Sequence, residues 1–404
     1  MRIRAFQGLV PDPAHAAEVA CVPYDVVDAA EAAALAAGRP RSLLHVDRAE
    51  IDLPPGTNPY GDSVYAKAHE AFARLQKDGS LLRESGPCLY LYQQRMGSHT
   101  QRGLVAVCHV DDYDSGIIKK HEKTRRDKED DRTRLVDTLS ANTGPIFLTY
   151  RDTAELGALA ARQAGEAPLH DFTAPDGIRH TVWRIPGGEA WIRAFGAVPV
   201  AYIADGHHRA ASAARVARLR RERNPGHTGA EDYNWFLSVL FPAGELQILP
   251  YHRIVADLNG LSTPDFLGKV RRIFGAAGGV APAPEAAGHV SMYLAGAWHG
   301  LACPVDPAAD PVARLDVSVL QEKLLAPILG IDDPRTSKRI DFVGGIRGPG
   351  ELSRRVDAHG GVAFSMYPVT VAQLMDIADA GQIMPPKSTW FEPKLRSGLF
   401  IHTF

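Results

Sequence analysis

The segment that most constrains this chain runs from residue 198 to residue 223. Val198-Pro-Val-Ala-Tyr-Ile-Ala204 is apolar and reads as a strand, Asp205-Gly206 as a turn, and from His207 a helix carries Ala211, Ala214, Ala217 and Leu219. A buried strand that turns through glycine into a helix calls for a sheet with helices packed on it, so the expected class is α+β. The same turn prepares an anion site. The first helical turn leaves N–H groups unpaired at the positive end of the helix dipole, and glycine lets a ligand approach the backbone. His207, His208 and Arg209 add donors, and an arginine fork suits phosphate. Asp205 is placed to hold a metal ion or to orient a histidine. The plainer alternative is a capped helix with Asp205 as turn former and the histidines partly buried.

Length and composition allow this reading and narrow it. The 404 residues suggest two or three domains, and 45% apolar with 23% charged residues is globular composition. The net charge of −2 and the pI near 6.8 lack the basic excess of a duplex-binding protein. Four cysteines, Cys21, Cys88, Cys108 and Cys303, form no Cys-x-x-Cys pair and no zinc spacing, as expected of reduced thiols in a cytoplasmic protein. No signal peptide and no spanning helix are visible, so no membrane role is expected.

Other segments punctuate the chain. Asp28-Ala-Ala-Glu31 is a capping box. Residues 62–77 put Tyr65, Ala68, Phe72 and Leu75 on one helical face. Cys88–Arg95 and Gly103–Val110 read as a hairpin joined through Gly97-Ser98. Asp152-Thr-Ala-Glu155 is read as a helix cap. Residues 165–197, rich in Gly and Pro, suggest a loop or small insertion with strand pieces near Thr181-Val-Trp183, and 275–310 an irregular stretch. Thr370-Val-Ala-Gln373 is a second capping box. Scattered His45, His69 and His252 are read as packing or surface groups.

Residues 118–134 carry eight Lys or Arg, five Asp or Glu, and one apolar residue, Ile118. Such a run is ordinarily a solvated helix, with Glu122 and Arg126 as an i,i+4 pair. Met384-Pro-Pro-Lys-Ser-Thr-Trp-Phe-Glu-Pro-Lys394 is stiffened by proline, so Lys387, Ser388, Thr389 and Lys394 are candidates to meet a phosphate or carboxylate at low entropic cost. The alternative is a rigid wrap with Trp390 and Phe391 in a core. Gly344-Gly-Ile-Arg-Gly348 reads as a simple turn, with a second backbone cradle as the alternative. Pro23-Tyr24-Asp25 reads as a turn, with a substrate contact from Tyr24 or Asp25 as the alternative.

Ile203-Ala-Asp-Gly-His-His-Arg-Ala-Ala-Ser-Ala213 resembles the nucleotide-phosphate motif of the ParB/sulfiredoxin-like superfamily, in the branch that holds free serine kinases. Pro23-Tyr-Asp-Val-Val27, Lys120-His-Glu-Lys-Thr124 and the Met384–His402 segment extend the resemblance to a long bacterial and archaeal ParB-like family of unknown function. Ala210 departs from it, since relatives commonly carry an aromatic there. The resemblance implies a ParB/sulfiredoxin-like nucleotide-binding module over 111–250, flanked by α/β segments 1–110 and 251–404, the latter supplying a Pro-rich binding loop. It implies phosphotransfer from ATP or ADP, with Mg2+, to the hydroxyl of a small amino acid such as L-serine. Glu122 matches the general base, with Asp131 and Arg132 as weaker candidates. Asp205 and His208 are the further catalytic candidates, and Asp205 the metal ligand. Gly206, His207, His208, Arg209, Lys387, Ser388 and Thr389 are the phosphate-binding set. His121, Lys123 and Lys394 are the substrate-binding set. A homodimer is one assembly open to such a protein. The competing function is a ParB-like nucleotide-binding regulatory or DNA-partitioning module. A sulfiredoxin-like activity needs a cysteine near residue 205, and the sequence has none there.

Overall fold

The computed structural model describes residues 1–275, 277–306 and 308–404. Among them, thirteen α-helices and five sheets make a mixed α/β fold. No helix among these residues is long and apolar enough to cross a membrane. The chain divides into two compact units, one formed by Met1–Leu246 with Pro393–Phe404 and one by Gln247–Glu392. The division therefore differs from boundaries at 110 and 250: strands from both sides of residue 110 share one sheet, and the last residues return to the first unit.

The first unit is built on a nine-stranded sheet. In spatial order its strands are Ile118–Lys119, Ala201–Asp205, Ile146–Tyr150, Trp235–Pro242, His99–His109, Cys88–Met96, Arg179–Pro186 and His170–Thr173, with Ile3–Arg4 paired to His99–His109. The central strands are apolar on both faces. Val105, Val107, Leu237, Val239 and Leu240 are wholly buried, as expected of strands covered on both sides. The hairpin forms as its sequence indicates, through Gly97 at φ 59°. The helix His207–Arg223 turns Ala210, Ala213, Ala214 and Ala217 into the core shared with Ile203, Leu148 and Leu240. Ala210 is fully buried there, so packing decides its size.

Local chemistry sets several boundaries. Both bonds of the Asp28–Glu31 capping box are present. Tyr65, Ala68, Phe72 and Leu75 are buried on the helix Asp62–Lys77. The helix Ala154–Gln163 is capped by Thr153, which accepts from Leu156 N–H. Asp152, expected as the cap, instead accepts from Gly244 N–H at 3.0 Å.

Residues 165–197 are not a loop or insertion. They supply the last two strands at one side of the sheet, His170–Thr173 at its edge and Arg179–Pro186 next to it, and the helix Glu189–Gly196, with Trp191 and Phe195 buried. The charged run 118–134 is likewise not one helix. It opens with the strand Ile118–Lys119 and becomes helical only over Arg126–Leu139. Glu122 thus precedes the helix and does not share a helical face with Arg126.

The second unit holds a six-stranded sheet in the order Ala277–Gly278, Ala297–Ala302, His289–Leu294, Val362–Met366, Tyr251–Val255 and Ile340–Gly344. Three of these strands fall within 275–310, expected to be irregular; Ala276 and Pro307 of that stretch lie outside the described residues. The Thr370 capping box forms and opens the helix Val371–Asp379. Gly344 and Gly345 serve close packing: a Cβ on the first would lie 2.8 Å from the Trp390 ring, and on the second 2.6 Å from the Pro250 carbonyl.

Candidate functional site

The strand Ala201–Asp205 lies between a parallel neighbour, Ile118–Lys119, and an antiparallel one, Ile146–Tyr150. The parallel register pairs Ala201 with Ile118 and Tyr202 with Lys119. Two chains running forward side by side from that point bring His121-Glu122 alongside Asp205 to His207. A register shift against Ile146–Tyr150 between Ile203 and Asp205 marks where the strand leaves the ladder.

Gly206 then adopts φ 91° and ψ 32° as the N-cap of a 17-residue helix. That left-handed conformation disfavours any side chain. No side chain caps this helix. Its first intrahelical bond runs from Ala210 N–H to Gly206 O, so the N–H groups of His207, His208 and Arg209 have no intrahelical acceptor.

Asp205 closes one side of the turn. One oxygen accepts from Gly206 N–H at 2.8 Å, and the other meets Lys394 Nζ at 3.1 Å. Burial would raise its carboxyl, but Lys394 and Arg209 outweigh that and hold it well below the usual carboxylate range. Each oxygen of Asp205 thus accepts one hydrogen bond at the turn.

Arg209 folds back on the helix start. Its Nη1 donates to the Pro145 carbonyl, its Nε has no hydrogen-bond partner, and a Cβ on Gly206 would lie 3.0 Å from that Nε. Burial opposes its charge, yet Asp25, Asp205, Tyr24 and Asp47 together raise its pKa, so it stays a cation.

The three histidines play different parts. His208 Nε2 accepts from Arg125 N–H at 3.0 Å, tying the 120–125 segment to the helix. His121 and His207 are 2% and 6% exposed and meet edge to face, ring centres 4.5 Å apart. Burial pushes His121 down to about 4 against the pull of Asp205. Burial, then the neighbouring His121, holds His207 well below its ordinary value. Both rings are therefore neutral at pH 7. Glu122 Oε2 lies 3.8 Å from His207 Nδ1, and its side chain is 43% exposed.

Of the expected residues, then, Glu122, His121, Asp205, Gly206, His207, His208, Arg209 and Lys394 all come together in the first unit. Lys123 is exposed. Lys387, Ser388 and Thr389 belong to the second unit. There Lys387 lies 5.5 Å over the Tyr251 ring, its carbonyl accepts from Arg253 Nη2 at 3.1 Å, and Ser388 Oγ donates to Pro385 O at 2.6 Å.

Sequence reasoning undervalued the other side of the site. Tyr24, Asp47, Arg132 and Leu135 are shared by the walls of two cavities. The smaller one is also lined by Arg209, Thr143 and Ser397. The larger, about 400 Å³, is also lined by Lys128, Asp131, Glu50 and Tyr60. Arg132 lies 4.1 Å over the Tyr24 ring and bonds Asp131 through Nε at 2.9 Å. Asp131 also accepts from the Tyr65 hydroxyl at 2.9 Å, and Asp47 from Thr143 Oγ1 at 2.6 Å. The Pro23-Tyr24-Asp25 turn and the weaker candidates Asp131 and Arg132 were the signals pointing here; Asp47 gave none.

A family model described as a protein of unknown function, DUF1015, matches residues 3–318. No curated protein sequence matches the chain. Among solved structures, a free serine kinase variant in complex with AMP aligns at 12% identity, covering 71% of this chain and 87% of that one, with a TM-score of 0.36. Another variant of free serine kinase, with ADP, aligns at 14% identity over 71% and 87%, TM-score 0.35. A conserved hypothetical protein from Pyrococcus furiosus aligns at 14% over 72% and 93%, TM-score 0.36. Scores at this level do not establish a common fold.

Proposed function

The chain belongs to the DUF1015 family, and we propose that it is a nucleotide-dependent phosphotransferase acting on the hydroxyl of a small amino acid, converting L-serine to O-phosphoserine with ATP or ADP as donor. One observation carries this reading: a half-exposed carboxylate, Glu122, stands 3.8 Å from His207 at an uncapped helix start whose turn residue is a left-handed glycine.

Phosphoryl transfer asks little covalent chemistry of a protein. It asks for positioning, for charge stabilisation on the moving group, and for a carboxylate near the attacking hydroxyl. The N–H groups of His207, His208 and Arg209, with the Arg209 guanidinium, receive the terminal phosphate. Lys394, held by Asp205 at 3.1 Å, adds a fixed positive charge to the same end of the strand. Glu122 accepts the proton of the acceptor hydroxyl. That oxygen bonds to the terminal phosphorus as the bond to the bridging oxygen breaks, and the shortened nucleotide leaves. The cavity bounded by Lys128, Asp131 and Arg132 offers charged partners of both signs, which suits a zwitterionic amino acid.

The test is direct. Purified protein incubated with L-serine and ATP or ADP should yield phosphoserine, read by phosphorus NMR. Glu122→Gln should lower kcat by about 10²–10⁴-fold while leaving the unfolding midpoint unchanged, because the side chain is half-exposed. Absence of product from both donors across the hydroxy amino acids refutes the reading.

A further inference from the structure

His121, Glu122 and His207 converge. One ligand atom from each lies within 4.8 Å of the others, and no other such group of three occurs among the described residues. Both rings are buried, and each has a nitrogen without a hydrogen-bond partner, Nδ1 on His121 and Nε2 on His207. A buried polar atom left unpaired costs free energy. The His121 ring interacts with the Ile203 backbone, while its Nδ1 has no partner. Holding one ring nitrogen through a backbone carbonyl so that the other can ligate is how proteins orient metal-binding imidazoles.

We propose that His121, Glu122 and His207 form a binding site for a divalent transition-metal ion of the zinc, cobalt or manganese class. Two imidazoles with one carboxylate suit such ions, whereas magnesium prefers oxygen ligands alone. Three protein ligands leave a coordination position open for an oxygen of substrate or phosphate. Glu122 can ligate through one oxygen and keep its second toward the acceptor hydroxyl, so the inference deepens the phosphotransferase reading and rests on the same residues.

The experiment uses the full chain and no nucleotide. Protein stripped with chelator is titrated with Co2+, following the visible d–d absorption, and the retained metal is counted by mass spectrometry after desalting. We expect one equivalent of Co2+, displaced by Zn2+ but not by Mg2+ in large excess. Glu122→Gln should weaken Co2+ binding at least about tenfold with an unchanged circular dichroism spectrum, and His121→Ala with His207→Ala should abolish the absorption. No stoichiometric band in the unaltered protein, equal affinity in Glu122→Gln, or displacement by equimolar Mg2+ each overturns the site. Phosphoserine formed by protein that binds no Co2+ would overturn the metal site alone. A Co2+ site in protein that makes no phosphoserine would overturn the kinase reading alone.

Discussion

Replacing Lys394 by methionine tests the electrostatic frame of the turn. Methionine keeps most of the apolar stem and removes the charge. Lys394 and Asp205 meet at 3.1 Å with side chains only 14% and 27% exposed, so their bond is charge-assisted and poorly screened. A net contribution of about 1.5–3 kcal/mol is ordinary for such bonds. Stranding a buried carboxylate can cost about 3–5 kcal/mol, but Gly206 N–H and Arg209 still face Asp205. The expected loss is therefore about 2 kcal/mol. In a unit of this size that is a fall of about 4–8 °C in Tm.

The sign with pH follows from the depressed carboxyl. Asp205 contributes stability above the usual carboxylate pKa of about 3.9 and loses it as pH falls through its lower folded value. The gap between the unaltered protein and Lys394→Met should thus be full at pH 7 and pH 5 and shrink below about pH 4. Urea unfolding of the two single variants and of Lys394→Met with Asp205→Asn gives the coupling energy. Additive losses, or a gap below about 0.5 kcal/mol at pH 7, would refute the argument.

Other outcomes follow from the same structure. Gly206→Ala puts a side chain at φ 91° and within 3.0 Å of Arg209 Nε; it should cost about 1–2 kcal/mol, read by thermal unfolding, and weaken nucleotide binding, read by calorimetry. His180, bonded to the Tyr92 hydroxyl at 2.7 Å and pushed down to about 3 by burial and then by Arg396, should show a neutral-ring NMR shift at pH 5. Because the unfolded chain binds that proton near pH 6.5, its contribution is full above this value and declines as pH drops toward 3; a ring titrating near 6.5 would contradict the burial. Ending the chain after Glu392 removes buried Leu395, Leu399, Phe400 and Ile401. At about 1.5–3 kcal/mol for each side chain this rivals a domain's whole stability of about 5–15 kcal/mol, so residues 1–246 should become protease-sensitive, and continued resistance would count against the packing described.

What the sequence disclosed was local. Asp28 with Glu31, Thr370 with Gln373, and Gly206 between an apolar strand and an alanine helix are each decided by neighbours in sequence, and all three formed as read. Density of Gly and Pro misled where burial came from distant partners. Thr181-Val-Trp183 reads as a fragment, yet it pairs along its length with Leu91, Tyr92 and Gln93. Half of the site was legible for the same reason. Gly206 to Arg209 is one contiguous string, whereas the facing groups, Tyr24, Asp25, Asp47, Arg132 and Lys394, arrive from four separate segments. Their charge type is visible in the sequence, but their convergence depends on sheet register and on where the tail returns.

That return has a consequence for assembly. Ser397 exchanges backbone bonds with Cys21, Ile401 with Leu9, and Gly398 N–H reaches Thr143 O. A chain emerging from the ribosome can build the sheet and the Asp205-Gly206 turn early, but Lys394 reaches Asp205 only after all of Gln247–Glu392 has been made. Until then the turn carries a part-buried carboxylate without its ammonium partner. A nascent chain halted short of residue 394 therefore holds the turn in an incompletely neutralised form.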